Sequence, residues 1–302
     1  MLRYVRASME DEGRVQEFLR QFVDDYLSNQ VQKYMAQRQG GLYLALDDDQ
    51  IIGTAVITLP KRHEAYLGAM RIAPPRQGQG LGESFTTFQV EEASRLGAHV
   101  ARALIHQDNQ TSLHILEENL GFQVDEGWMV GTLTGFRAPE EPPLAAGPAW
   151  AVDRDRIRAF HQRFSDDLWA EADHWAPHSL SMDDLWHRFE ASGLALAPQD
   201  SAQEVDAVAM YRIGQNETMH LHYFRSVEGK LDEDLLAYLW TEARAWGISR
   251  LHFGLTQKQA ERLIAIAAIP PTDTWSGLIL EKDLTLPRGS AHPTKSPKVA
   301  EG

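Results

Sequence analysis

The chain has 302 residues, enough for two domains at roughly 150 residues each. It carries 29 basic and 43 acidic residues, a net charge of −14, which excludes the basic footprint of a nucleic-acid binder and the polybasic patch of a membrane-surface protein. The absence of cysteine excludes disulfides, Cys-ligated zinc, iron–sulfur clusters and a thiol nucleophile, and with no long apolar run and no apolar core in the leading MLRYVRASMEDEG a cytoplasmic protein without a membrane partner is expected.

Residues 10–37 place Val15, Phe18, Leu19, Phe22, Val23 and Tyr26 at helical spacing behind an acidic first turn, which predicts a helix. Residues 42–46 and 51–59 read as strands joined by a turn at DDDQ, and 65–73 as a third strand. Residues 81–96 read as a helix stopped by Gly97, 99–106 as a buried strand, 110–120 as a short helix ending at Gly121-Phe122, and the region near 128–134 as a last strand. The stretch APEEPPLAAGP at 138–148 has no apolar period and reads as a linker. From Pro287 the chain is rich in Pro, Ser and Lys and reads as a disordered tail over 287–302.

The second half repeats the first. VQEFLRQFVDDYL (15–27) aligns with IRAFHQRFSDDLW (157–169), matching Phe18 and Phe22 with Phe160 and Phe164, and Asp24-Asp25 with Asp166-Asp167. GLYLAL (41–46) aligns with GLALAP (193–198), EASRLGA (92–98) with EARAWGI (242–248), and WMVGTL (128–133) with WSGLIL (275–280). Four matches in the same order indicate a duplication, and the alternation of helices and strands predicts a mixed-sheet α/β (α+β) fold in each half.

The chemistry-bearing motif follows the third predicted strand. In MRIAPPRQGQGLGESF (70–85), Gly78, Gly80 and Gly82 open a helix. Glycines let a backbone approach a phosphate closely, and the unpaired N–H groups and dipole of a helix N-terminus favour its charge. The same residues also suit a tight strand-to-helix turn with no ligand. There is no Gly-Lys-Ser/Thr for a Walker loop, and the GxGxG spacing and late position do not suit a Rossmann loop.

Gln77-Gly78-Gln79-Gly80-Leu81-Gly82 resembles the Gln/Arg-x-x-Gly-x-Gly/Ala acetyl-CoA loop of the GNAT acyltransferase superfamily. Ile72-Ala73-Pro74 resembles the family's lead-in to that loop, and Asn109, Ser112 and Gly121-Phe122 its second half-motif. The likeness runs over about residues 1–136, and the tandem layout is similar to two-domain members. It implies two GNAT-like domains, 1–137 with an intact loop and 149–286 as a degenerate copy, joined by 138–148. It implies acetyl-CoA as acyl donor, with the backbone N–H groups of Gln77, Gly78, Gln79, Gly80, Leu81, Gly82 and Glu83 on the pyrophosphate. Met70, Arg71 and Ile72 would pair with the pantetheine arm, and Asn109 and Ser112 would contact its end. The chain departs from the family where many members carry an acidic tyrosine: seven residues after Asn109 stands Leu116, or Glu117 when counted back from Gly121.

The implied reaction moves an acetyl group directly to the amine of a small-molecule acceptor in a ternary complex. An ammonium near pKa ~10.4 loses its proton at pH 7 at a cost of about 4–5 kcal/mol unless a base assists. Glu64 is the first candidate by position and His106 the second, with His63 and Asp108 behind them. Each also reads as a solvated or satisfied strand-end residue. His220, His222 and His252 could ligate zinc, but core or pocket histidines are the expectation, and no metal is expected. The second-half Trp residues read mostly as core. The acidic runs at 166–167, 171–173 and 183–184 could attract a cationic acceptor or simply be solvated. The second-half loop, VEGKLD at 227–232, keeps one glycine and adds Glu228 and Asp232, which would repel a pyrophosphate. That half is expected to shape the acceptor pocket, pack on the first, or form a homodimer. Two other readings stay open: an acyl-CoA sensor without catalysis, and an interaction protein with two degenerate halves.

Overall fold

A computed structural model describes residues 1–285 except 24, 138, 142, 171–175, 199–203, 215 and 230. Asp24, the acidic run at 171–173, Trp175, Lys230 and the tail from Pro287 lie outside the described residues.

The first half runs β1 (Leu2–Arg6), α1 (Glu12–Leu19), α2 (Val31–Met35), β2 (Gly41–Asp47), β3 (Gln50–Lys61), β4 (Glu64–Ile72), α3 (Leu81–Arg95), β5 (Val100–His106), α4 (Gln110–His114) and β6 (Gln123–Thr134). The second half runs β7 (Gly147–Pro148), α5 (Arg154–Arg163), β8 (Leu168–Trp169), β9 (His178–Ser179), α6 (Met182–Glu190), β10 (Leu194–Ala197), β11 (Ala207–Ile213), β12 (Thr218–Ser226), α7 (Asp232–Ala245), β13 (Arg250–Thr256), α8 (Gln257–Ala267) and β14 (Thr272–Asp283). No helix among the described residues is long and apolar enough to cross a membrane.

One compact unit holds Met1–Ala103, Gln110–Val124 and the described residues from Leu280, and a second holds Leu104–Asn109 and Asp125–Ile279. In the first, β1 to β4 form an antiparallel run and β5 adds in parallel to β4. In the second, β12 and β13 are parallel, while β10 to β12, β7 on β10, and β6 on β13 are antiparallel. These units do not follow borders at 137 and 149. β6 comes from the first half of the sequence but pairs with β13, from Trp128↔Thr256 to Thr134↔Arg250, and the first unit takes its closing residues from the end of β14. A strand's periodicity states which face it buries but not which neighbour it pairs with.

The single helix expected over 10–37 is interrupted. α1 stops at Leu19, a 3-10 turn covers Tyr26–Asn29, and α2 follows. Asp25 causes the break: its backbone is extended, its carboxylate accepts the Leu27 N–H at 3.0 Å, and the same carboxylate holds Arg71 at 2.6 and 2.9 Å. β1 escaped the sequence reading because LRYVR buries no full face; it is an edge strand.

β2 is buried on both faces. Leu42, Leu44 and Leu46 pack with Val15, Phe18, Leu19, Leu27, Val31 and Met35 from α1, α2 and the turn between them. Tyr43 points the other way and donates to Glu92 on α3 at 3.0 Å. The hydrogen bond from Arg95 chiefly, and that from Tyr43, hold the Glu92 carboxyl below its ordinary value. That stability is complete above the unfolded value near pH ~4.3 and is lost as pH falls through the lower folded value. Glu92→Gln should cost about 1 kcal/mol in urea unfolding at neutral pH and progressively less as pH falls through the folded value. A loss that does not change with pH on the acid side would refute the linkage.

The duplication is visible residue by residue. Val15 and Phe18 of α1, like Ile157 and Phe160 of α5, are buried. The ring pairs Phe18–Phe22 and Phe160–Phe164 lie 5.5 and 4.6 Å apart. α3 and α7 end alike: Gly97 and Gly247 have φ of +91° and +66°, and Ala98 and Ile248 return N–H bonds to Ala93 and Ala243 at 3.0 and 2.8 Å. The pair Asp25–Arg71 has its counterpart in Asp167–Arg225 at 3.5 Å, which explains why the Asp-Asp match recurs.

Candidate functional site

β4 is paired along its length on one edge, with two register shifts, and open along most of the other. Against β3 it pairs from Lys61↔Glu64 to Gly53↔Ile72, with a register shift that sets Ala69 and Met70 opposite Ala55. Ala69 there has φ +51°. This is a β-bulge, which re-aims the strand's backbone groups. Against β5, the pairing runs only from Glu64↔Val100 to Tyr66↔Arg102. Beyond Tyr66, β4 leaves that ladder, and an extended ligand bearing amides can add to such an edge as an extra strand.

The glycine loop lies at the end of this edge. Pro74–Arg76 form a 3-10 turn with proline at its start, and Gly78 and Gly80 follow with φ of +73° and +76°. A side chain rarely adopts those angles, so glycine is favoured at both positions. An ideal Cβ at either would meet nothing within 4 Å, so the loop surface is open. Gln77 and Gln79 turn their side chains back to donate to the Ile72 and Pro75 carbonyls at 3.0 and 3.1 Å. Both amides therefore brace the turn, and the Gln77 N–H, expected on the pyrophosphate, closes it on the Pro74 carbonyl at 3.4 Å, so the N–H groups that can face a ligand begin at Gly78.

Gly80 is the N-cap of α3, so the N–H groups of Leu81, Gly82 and Glu83 have no intrahelical acceptor. The helix axis is held by Leu81, Phe85, Thr86, Gln89 and Ala93, all buried, with Gln89 Nε2 donating to the Val56 carbonyl at 2.9 Å. Nearby charge is organised: Arg76 pairs with Asp47 at 2.9 Å, and Asn119 donates to Glu83 at 2.9 Å. On β4, Arg71 pairs with Asp25 under the Tyr26 ring, its Nη1 donates to the Met70 carbonyl at 2.9 Å, and Asp25 holds its pKa above the ordinary value against burial.

Met70, Arg71, Ile72 and the run Gln77 to Glu83 are thus contiguous along the open edge and the loop. Glu64 is placed otherwise. It sits where β4 still pairs with β5, and its carboxylate is bonded to the Arg102 guanidinium. Arg102 also holds Glu281 at 2.8 Å, and the three side chains are only 17, 7 and 19 % exposed for Glu64, Arg102 and Glu281. The carboxylate expected as a base is committed to an ion triad. His106 belongs to the second unit, where its ring meets Trp275 edge-on and Nδ1 accepts the Asp108 N–H at 3.1 Å. That bond makes Nδ1 an acceptor, so it is not open to an incoming amine. In the same unit, Asn109 closes the turn after β5 through its N–H to the His106 carbonyl at 2.9 Å. Ser112 is half-buried on α4, Leu116 is buried and Glu117 is exposed. Sequence reasoning missed Arg102, although a lone arginine inside the apolar run HVARALIH is itself a signal, since a buried cation requires acidic partners.

The second-half loop keeps two left-handed positions and changes the chemistry. Gly229 and Leu231 have φ of +71° and +60°, and Leu231 is the N-cap of α7, so N-caps pair Gly80 with Leu231, one residue later than the sequence alignment. Asp232 does not face outward as a repelling charge: it is buried and bonded to Arg262, which also donates to the Gly229 carbonyl at 3.0 Å. An ideal Cβ on Gly229 would fall 2.5 Å from that guanidinium. The ring of His220 lies 6.4 Å from His222 and 5.7 Å from His252, whose Nδ1 is within 3.1 Å of the Thr132 hydroxyl. Of the tryptophans read as core, Trp169 and Trp240 are buried, while Trp246 is exposed beside the stop at Gly247. Asp184 belongs to a capping box with Ser181.

Residues 8–122 match the acetyltransferase (GNAT) family model. Over that stretch the chain carries a GNAT acetyltransferase domain. Over 53 residues it is 43% identical to the L-amino acid N-acyltransferase MnaT of Escherichia coli, covering 18% of this chain and 30% of that protein, so it spans less than a third of that curated relative. Its GNAT fold extends through both halves. A GCN5-related N-acetyltransferase from Sphaerobacter thermophilus matches 94% of the chain and 96% of its own length at 12% identity and TM-score 0.65. A tandem GNAT protein from the clavulanic acid biosynthesis pathway matches 94% and 99% at 12% identity and TM-score 0.54.

Proposed function

We propose that this GNAT protein transfers an acetyl group from acetyl-CoA to the amine of a small-molecule acceptor, by direct attack in a ternary complex at one site in the first half. The observation that carries this reading is the continuity of the open β4 edge, its bulge and the exposed N–H groups from Gly78 to the first turn of α3. The loop binds the pyrophosphate through N–H groups and the helix dipole. The pantetheine amides add to the β4 edge as a strand. A backbone N–H at the bulge polarises the thioester carbonyl and stabilises the oxyanion.

The acceptor must present a neutral amine. With Glu64 bound to Arg102 and His106 Nδ1 occupied by the Asp108 N–H, the attacking amine enters already deprotonated, and kcat/KM rises with pH toward the pKa of the acceptor. The E. coli relative is an L-amino acid N-acyltransferase, which supports an amine acceptor and places L-amino acids first in a panel. The Arg262–Asp232 contact supports a second half that binds no acyl-CoA.

Calorimetry of the full chain with acetyl-CoA should give one site, and CoA release with an amine panel should show turnover. Binding without release by any amine would favour the acyl-CoA sensor. Two equivalent sites would refute the single-site assignment.

A further inference from the structure

Tyr66 lies on β4 at the last position paired with β5, where the open edge begins. Ala65 and Leu67 are buried on one face of the strand, so Glu64, Tyr66 and Gly68 share the other. The phenol lies lengthwise over Gly68: an ideal Cβ on that glycine would fall 2.8 Å from Cε1 of Tyr66 and 3.6 Å from its hydroxyl oxygen. Gly68 is not in the left-handed region, so the ring and not the backbone requires a glycine there. Its hydroxyl is thus carried toward the bulge at Ala69 and Met70.

An acyl-pantetheine anchored at the glycine loop runs back along β4 from Ile72 toward Gly68. Four residues of strand span about 13 Å. That run brings the thioester to the bulge, beside the Tyr66 hydroxyl. Leu116, where an acidic tyrosine is common in the family, has no proton to give and is buried.

On the acyl-transfer reading above, we infer that Tyr66 is the catalytic acid that protonates the departing CoA thiolate. The amine nitrogen forms the new C–N bond, the C–S bond breaks and its electron pair stays on sulfur. The Tyr66 hydroxyl gives its proton to that sulfur. The amine nitrogen releases one proton to water and the phenolate takes one back, so the products are the N-acetyl amine and the CoA thiol. A phenol holds its proton at neutral pH and lies within ~2 pKa units of a thiol, so the transfer is nearly balanced.

The test is steady-state kinetics on the full chain, with acetyl-CoA and an amine that the wild type accepts. Tyr66→Phe keeps the ring over Gly68 and removes only the hydroxyl. Its kcat should fall by about 10²-fold, with KM for acetyl-CoA within twofold and an unchanged unfolding midpoint. Gly68→Ala pushes the ring aside and should also lower kcat while Tyr66 is intact. A folded Tyr66→Phe with wild-type kcat overturns the assignment. So does a loss that appears only as a raised KM for acetyl-CoA, because the ring would then be a binding wall. If the wild type binds acetyl-CoA but releases no CoA with any amine, the acyl-transfer reading itself fails, and that is seen before any variant is made.

Discussion

Gly80→Asp should reduce acetyl-CoA affinity by more than about 10²-fold while the far-UV circular dichroism spectrum stays native. Gly80 has φ +76° and ψ 0° at the N-cap of α3, and an ideal Cβ there meets nothing within 4 Å. The fold therefore has room for a side chain, and aspartate tolerates left-handed angles better than most residues. The site does not tolerate it. A carboxylate roughly 5 Å from one phosphate charge, at an effective dielectric near 20, costs about 3 kcal/mol. It would also compete for the N–H groups of the first helical turn. Gly80→Asn is the control, since it has the same shape without the charge and should lose far less. Calorimetric affinity for Gly80→Asp equal to wild type would mean that the loop is only a turn.

Arg102→Met should be the most destabilising single change in the first half, by about 3–5 kcal/mol, because it strands two acids that one guanidinium now holds. Glu64 and Glu281 would then face each other with most of their surface removed from water. For a domain of this size that is roughly a 10–15 °C fall in the unfolding midpoint. Replacing all three residues, as Arg102→Met with Glu64→Gln and Glu281→Gln, should recover most of the loss, because no unpaired charge remains. Scanning calorimetry decides the matter: a midpoint unchanged in Arg102→Met would show that the triad contributes nothing. Glu64→Gln alone leaves Arg102 with Glu281 and should cost less than the arginine change. A fall in kcat at unchanged stability would instead return Glu64 to the chemistry as a base.

The residues that mattered differed in how far their reasons reach along the chain. The glycine turn at Gly78 and Gly80, the stop at Gly97 and the strand pattern of β2 depend on neighbours a few residues away. Each was readable because backbone sterics and side-chain period act locally. The duplication was readable for the same reason, since each half repeats those local demands in order. The break at Asp25 was not. Helical spacing continues through it, and the interruption comes from Arg71, 46 residues onward. Glu64 had the right position for a base but not the right company, because Arg102 lies 38 residues away.

Composition and local pattern were sufficient for a two-part mixed α/β chain without thiol chemistry, with a glycine loop opening a helix beside a strand end and a second loop reduced to one glycine. Tertiary structure alone settled where β4 parts from β5, that β6 pairs with β13, that Glu281 reaches Arg102 across 179 residues, and that Arg262 occupies the second loop. Those are pairings of surfaces and charges brought together by chain closure. Every strand with the right alternation and every acid of the right sign is an equal candidate for them until the fold brings one into contact.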